Sequence, residues 1–378
     1  MKLAIHVSRE FDWYLFACWI ALLFIGLIVV FSATHPDTGG WSTTARFHLL
    51  YIGVGIAVGV FAYFTPLTRV YDIAYILWLG CFLLLAGVEL FGKLGMGAVR
   101  WIEIAGVRFQ PSELMKLGVI IALARWLGDR AGHAAQPVTL LGVFTIAILP
   151  MMLVAAQPDL ATSTIFLAPA MTLLIWSGYP LSGMLAFAVP FVAMIVSMHP
   201  IFVIIILVVG GLAIRFSGGS IKTIAMSLMG GGIVSWLTPW IWQTKLHEYQ
   251  RNRILTFLNP DNDPLGKGYQ SIQSKIAVGS GGFTGKGFLG GTQTQLDFLP
   301  IQHTDFVFSV LAEEWGFLGS LLLLLVLGVL FWRLWGQAYR AKNRNGGLLL
   351  AGIAGLWVYQ IFVNVAMTLG LMPVAGIR

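Results

Sequence analysis

Charge is scarce in this sequence. Only 10% of its 378 residues are Asp, Glu, Lys or Arg, where soluble domains carry about a quarter. That scarcity excludes an ordinary soluble domain, a disordered chain and a coiled coil. Cysteine is nearly missing as well. Cys18 and Cys81 both fall inside apolar runs and read as small hydrophobes rather than a disulfide. No H-E-x-x-H occurs, which removes the metalloprotease reading, and no G-K-[ST] follows the glycine-rich run, which removes a P-loop. There is no tandem repeat of fixed period and no low-complexity tail.

Apolar residues dominate, at 58%, with a mean hydropathy of +0.84. The apolar runs are long enough for helices that cross a bilayer. Spans are predicted near 13–32, 47–64, 73–91, 112–128, 137–155, 160–177, 223–243, 306–332 and 347–371. The first follows Lys2 and Arg9 and is longer than a signal-peptide core, so it reads as a retained span. Residues 183–214 hold two shorter apolar runs divided by His199 and Pro200, and read as a tight hairpin of two short helices or one broken helix, with the loop charges favouring the hairpin. The fold class expected is all-α: one polytopic membrane bundle over 1–378, with about 10–11 spans.

The net charge of +7 sits in loops between apolar runs. It therefore points to membrane lipids, orientation signals and anionic lipid substrates, not to nucleic acid. With the N-terminus inside and 183–214 as a hairpin, the basic cluster Arg333–Arg344 faces the cytoplasm. The long loop 244–305 then faces outward.

Chemistry-bearing residues gather at a few places. The stretch "NPDNDPLGKGY" sets Asp261 and Asp263 beside prolines. It reads either as a self-capping turn or as a carboxylate held at the membrane surface, as base or metal ligand. Glu113 and Lys116 share a helix face at i,i+3 near a helix start. Asp159 stands between two spans, as a cap or as a functional charge. Glu313 and Glu314 enter a span with no local partner in view. Lys275, His303 and Asp305 lie in or at the end of the long loop. Gly279–Gly291 reads as a flexible loop, or as a source of backbone N–H groups for a pyrophosphate. Tyr269–Val278 reads as a short amphipathic helix. Trp101–Lys116 reads as an amphipathic segment on the outer surface, with Trp101, Arg100, Arg108 and Phe109 at the interface.

Several long segments carry a resemblance. "RFQPSELMKLG", "QPDLATS", "NPDNDPLGKGYQSIQSKIAVGSGG", "GTQTQLDFLPIQHTDFVFSVLAEEWGFLG" and "NVAMTLGLMPVAGI" occur in order over most of the chain. They resemble the SEDS family of bacterial shape, elongation, division and sporulation proteins, and its elongation branch more than its division branch. The resemblance implies a peptidoglycan glycosyltransferase in the inner membrane that polymerises lipid II. It implies a class B penicillin-binding protein and other elongation-machinery proteins as partners. It also implies a divalent cation, Mg or Mn, with no organic cofactor. Carried over residue by residue, it makes Asp263 the catalytic carboxylate. It places Trp101, Arg108, Glu113, Lys116 and Asp159 in substrate binding, where Lys275, His303, Asp305, Glu313 and Glu314 are further candidates; metal ligands are not assigned. A lipid II flippase and a non-catalytic scaffold are the competing expectations. The family's pattern runs on past "MPVAGI" to one more span, which this sequence is expected to lack, and residues 183–214 are expected to be an added hairpin.

Overall fold

The structure is a computed structural model. It describes residues 11–35, 39–91, 93–95, 98–104, 107–157, 159–245, 251, 255, 267–296, 298 and 304–372. Four helices come first: α1 (Trp13–Ala33), α2 (Thr43–Phe64), the short α3 (Leu67–Asp72) and α4 (Ala74–Phe91). A small antiparallel sheet follows, β1 (Lys93–Gly95), β2 (Ala98–Ile104) and β3 (Val107–Phe109), in the order β1-β2-β3. The chain then returns to helix: α5 (Pro111–Gly128), α6 (Pro137–Ala156), α7 (Leu160–Thr164), α8 (Leu167–Trp176), α9 (Leu181–Ile195), α10 (Pro200–Phe216) and α11 (Ile221–Thr244). The last group is α12 (Lys267–Ser280), α13 (Thr292–Gln295), α14 (Val307–Arg340) and α15 (Arg344–Thr368).

Six of these helices, α1, α2, α6, α11, α14 and α15, are long and apolar enough to cross a membrane. Shorter apolar helices occupy 74–88, 161–176, 181–195 and 200–216. Helix α5 is interrupted by Glu113, Lys116 and Arg125, yet it is the centre of the bundle. It packs against α4, α6, α8 and α15, and Met115, Val119, Leu123 and Leu127 on it are fully buried. A lipid-embedded helix surrounded by other helices can carry charges that a peripheral one cannot. Helices α5, α6 and α10 each begin on a proline, whose fixed φ suits the first helical position and whose missing N–H costs nothing there.

Three sequence expectations change in detail. The amphipathic segment expected from Trp101 begins as strand, β2 and β3, before it enters α5. Val99, Trp101, Ile102 and Ile104 favour strand, and the register sets Glu103 opposite Arg108 and Lys93 opposite Trp101. The span expected at 160–177 is two helices, because Pro169 in the first turn of α8 has no N–H to continue a ladder from α7. The span expected from 306 is broken at Gly316, where φ is 64° and ψ is −160°. Residues 181–216 are two helices joined by a turn, and α9, α10 and α11 pack on one another. Cys18 and Cys81 are free thiols.

The N-terminus of α1 is tied to α14. Asp12 accepts the N–H groups of Tyr14 and Leu15, each at 3.0 Å. It also takes Gln337 Nε2 at 2.7 Å and lies 3.7 Å from Arg333 Nη2. Burial pushes its carboxyl up. The Leu15 N–H, the Gln337 amide and Arg333 outweigh that and hold it below the ordinary carboxylate value. A depressed folded pKa means the stabilisation is present above the ordinary value and fades as pH falls through the folded one. Asp12→Ala is expected to cost about 1 kcal/mol, the usual value of a lost N-cap. Thermal unfolding in detergent checks this, and the difference from the parent should shrink in acid.

Candidate active site

The middle of α5, the short α7 with the residue that ends it, and the second half of α15 meet in one apolar cluster of Ile120, Ile165, Leu356 and Val363, with Ala161, Tyr359 and Met372 against it. Polar groups sit just beyond that cluster. Lys116, one turn before Ile120, is buried, with Nζ 2.6 Å from Glu113 Oε2. Glu113 is 47% exposed and Lys116 only 4%. The ammonium is thus held inside the bundle by a carboxylate that faces out. Asp159 is buried and caps α7 by accepting the Thr162 N–H at 3.2 Å. Asp305 is buried too, and its backbone oxygen takes Asn364 Nδ2 at 3.3 Å.

Helix α12 is fixed over this end of the bundle. Ser274 is fully buried, donates to the Thr368 oxygen at 2.7 Å and lies 2.7 Å from Ser309 Oγ. Lys275 is exposed, and its stem crosses Gly370 closely enough that a Cβ there would lie 2.4 Å from Cε. Trp101 is half-buried on β2. Asp261, Asp263 and His303 fall outside the described residues, as does the side chain of Arg108.

The glutamate pair has partners that sequence order conceals. Glu314 is buried, and its Oε1 accepts from Ser32 Oγ at the end of α1. Glu313 is completely buried. Its carboxylate accepts from Lys286 Nζ at 2.7 Å, Thr294 Oγ1 at 3.0 Å, and the N–H groups of Gln293 and Thr294 at 3.0 and 3.3 Å. Thr292 Oγ1 lies at 3.2 Å. Lys286 is the residue that sequence reasoning passed over. A lone lysine inside a glycine run, upstream of an unpartnered glutamate pair, was the available signal.

The glycine run has a definite task. At Gly316 the helical ladder of α14 opens, which would leave the oxygens of Glu313 and Glu314 and the N–H groups of Phe317 and Leu318 bare. The run repairs all four. Lys286 N donates to the Glu313 oxygen at 3.0 Å and Gly287 N to the Glu314 oxygen at 2.9 Å. Phe317 N donates to the Gly282 oxygen at 2.9 Å and Leu318 N to the Phe283 oxygen at 3.2 Å. The fit leaves no space for a side chain. A Cβ on Gly285 would stand 2.1 Å from the Glu314 oxygen. The N–H groups of Lys286 and Gly287 are thus committed to the helix break rather than to a phosphate.

Among the described residues, no group of three or more His, Cys, Asp or Glu side chains converges to hold a metal ion. Mg²⁺ characteristically uses one or two carboxylates plus substrate phosphates, a smaller protein ligand set than such a cluster.

Fold and site define a multi-pass membrane protein with buried polar groups gathered at one end of a helical bundle. A family model of cell cycle proteins, that of FtsW, RodA and SpoVE, matches residues 12–207 and 185–378, and the chain belongs to that family. It is 36% identical over 360 residues to the peptidoglycan glycosyltransferase MrdB of Escherichia coli K12, covering 95% of this chain and 84% of that one. It is 31% identical over 404 residues to the peptidoglycan glycosyltransferase RodA of Treponema pallidum, covering 97% and 92%. Among solved structures it matches a chain from work on the structural coordination of polymerization and crosslinking by a peptidoglycan synthase complex. That match has a TM-score of 0.73 and 30% identity, and it covers 98% of this chain and 90% of the other.

The buried lysine offers a direct test. Lys116→Met keeps the stem and removes the charge. It is expected to lower kcat/KM for peptidoglycan glycosyl transfer by about 10²-fold, the scale of one lost transition-state donor. Steady-state kinetics at equal folded protein checks it, and an unchanged kcat/KM would make the pair purely structural.

Proposed function

We propose that this chain is a peptidoglycan glycosyltransferase of the RodA type, polymerising lipid II at the outer face of the bacterial inner membrane during elongation. The observation that carries the reading is the likeness, over 95% of the chain, to a relative named for that activity. The site is compatible with the chemistry. A sugar hydroxyl attacks C1 of a second lipid-linked sugar, the C1–O bond to undecaprenyl pyrophosphate breaks, and the hydroxyl proton must leave. Asp263 is the carboxylate proposed to take that proton. Lys116 and Arg108 are proposed to offset the charge growing on the departing pyrophosphate. Glu113 holds the Lys116 ammonium in place. A Mg²⁺ or Mn²⁺ ion bound with the substrate would add charge neutralisation.

A membrane-anchored donor also needs an apolar wall. An open groove of about 410 Å³ runs between α1, α14 and α15, lined by Leu22, Val29, Leu311, Leu324 and Ile361, with Asn364 at its edge. Its composition supports a place for a polyprenyl tail. A class B penicillin-binding protein is proposed as the partner that crosslinks the strands.

The test is a gel assay for glycan strands, with purified protein, a cognate class B penicillin-binding protein, lipid II and Mg²⁺ or Mn²⁺, repeated with chelator. Polymer that requires the protein supports the reading. Its absence in the presence of folded protein and bound partner would overturn it.

A further inference from the structure

We infer that Glu313 is a positioning residue: it locks the glycine-rich loop into the break of α14 and so fixes α12, the helix that begins four residues after Asp263. This inference rests on the glycosyltransferase reading only for its kinetic consequence. The geometry stands by itself. Glu313 is fully buried, and within 3.3 Å of its carboxylate lie two backbone N–H groups, two threonine hydroxyls and one ammonium. Those five donors saturate a carboxylate, which has about four lone-pair sites. No acceptor capacity is left for a substrate hydroxyl or an ion.

Those five donors come from 286–294, Ser280 Oγ at the end of α12 adds a longer contact of 3.5 Å, and the backbone of 282–287 completes the broken ladder. The carboxylate and the splice therefore act on the same piece of chain from two sides. Gln293 and Thr294 open α13, whose cap residue Gly291 has no side chain to offer. Glu313 supplies that cap from another helix. At the other end of the loop, Ser280 ends α12, and Gly281 sits so close to α14 that a Cβ there would lie 2.0 Å from the Ala312 oxygen. Between these ends α12 is pinned once more, through Ser274. A helix held at its middle and at its far end has little freedom to tilt. The proposed base, Asp263, stands four residues before the start of α12 in the sequence. Displacing a catalytic group by about 1 Å can cost about 10²-fold in rate.

Lys286→Met, Glu313→Gln, Glu313→Ala and the Glu313→Ala/Lys286→Met double variant test this against the parent. Glu313→Ala is expected to lower kcat for strand synthesis about 30-fold with KM for lipid II held within about twofold, since positioning acts on the transition state rather than on ground-state binding. Glu313→Gln, which keeps an acceptor oxygen, is expected to lose less. The double variant is expected to be no worse than Glu313→Ala alone, because both act through one contact. Independently of activity, the amides of Lys286, Gly287, Gln293 and Thr294 are expected to exchange with deuterium about tenfold faster in Glu313→Ala. Amides beyond residue 320 should stay at the parent rate. A raised KM with kcat retained would make Glu313 a substrate ligand and overturn the inference. So would unchanged exchange across 286–294. An inactive parent would defeat the glycosyltransferase reading instead, while the exchange arm, which needs no substrate, still decides the lock. If Glu313→Ala does not fold, Lys286→Met decides the exchange and the kinetic split by itself, because Lys286 is partly exposed.

Discussion

Asp263→Ala is expected to stop glycan-strand synthesis, with a loss of about 10³-fold or more. A positioned general base contributes about 10²–10⁴-fold, and no nearby group in "NPDNDPLGKGY" replaces it except Asp261, two residues away. The attacking sugar hydroxyl is far too weak an acid to give up its proton unaided at neutral pH. On the proposed mechanism, removing the carboxylate leaves the proton to reach water while C1 is being attacked. The measurement is polymer on a gel from equal amounts of folded protein bound to the proposed penicillin-binding partner. Asp263→Asn should match Asp263→Ala, because the amide keeps the shape and cannot accept the proton as a base. Full polymer from both variants would remove Asp263 from the chemistry. Lipid II translocation that persists in both, with no polymer from the parent, would favour a flippase. Partner binding with neither activity would favour a scaffold.

Gly316→Ala is expected to be a severely damaging single-methyl change, costing about 3 kcal/mol or more. Two penalties combine. The backbone there has φ of 64° and ψ of −160°, a region open essentially to glycine alone, where any other residue pays about 1–3 kcal/mol. The added carbon would also stand 2.3 Å from Gly285 N and 2.8 Å from the Phe283 oxygen, so the splice would have to part. Four backbone hydrogen bonds depend on it, and a buried polar group left unpaired costs about 1–3 kcal/mol. Thermal unfolding in detergent and yield from the membrane are the readouts. A melting temperature within 1 °C of the parent, a difference of about 0.8 kcal/mol for a chain of this size, would show that the break relaxes freely. Gly279→Ala is the matched control, because nothing lies within 4 Å of a Cβ there.

Much of the architecture was legible because bilayer crossing leaves a strong mark. Runs such as 13–32 and 137–155 need only length and apolarity, and the helices match them to within a residue or so. The division of 183–214 was visible in His199-Pro200, since a proline starts a helix more readily than it continues one. The Glu113–Lys116 pair followed from helical spacing alone. Non-local geometry was not legible. The break at Gly316 sits inside a continuous apolar pattern, and one glycine there looks like an ordinary helix glycine. Its partner loop lies about thirty residues upstream. The strands at 98–109 were hidden by a composition that suits an interfacial helix as well as a short sheet. The same limit explains the glutamates. Lys286 and Ser32 are remote in sequence from Glu313 and Glu314, so a pair without neighbours on its own helix reads as available for substrate until the chain is folded.

The spliced helix also constrains the order in which the chain can be assembled. A gap in a ladder is harmless in water, but in hydrocarbon each bare N–H or oxygen costs several kcal/mol. The segment 281–287 lies ahead of residues 313–318 in the chain, so during synthesis the repair piece emerges before the gap it closes. The piece that closes the gap has therefore already been synthesised when the gap appears. A rearranged chain with the glycine run moved behind Arg340 would contain every contact seen here, and would still meet the membrane in the wrong sequence of events.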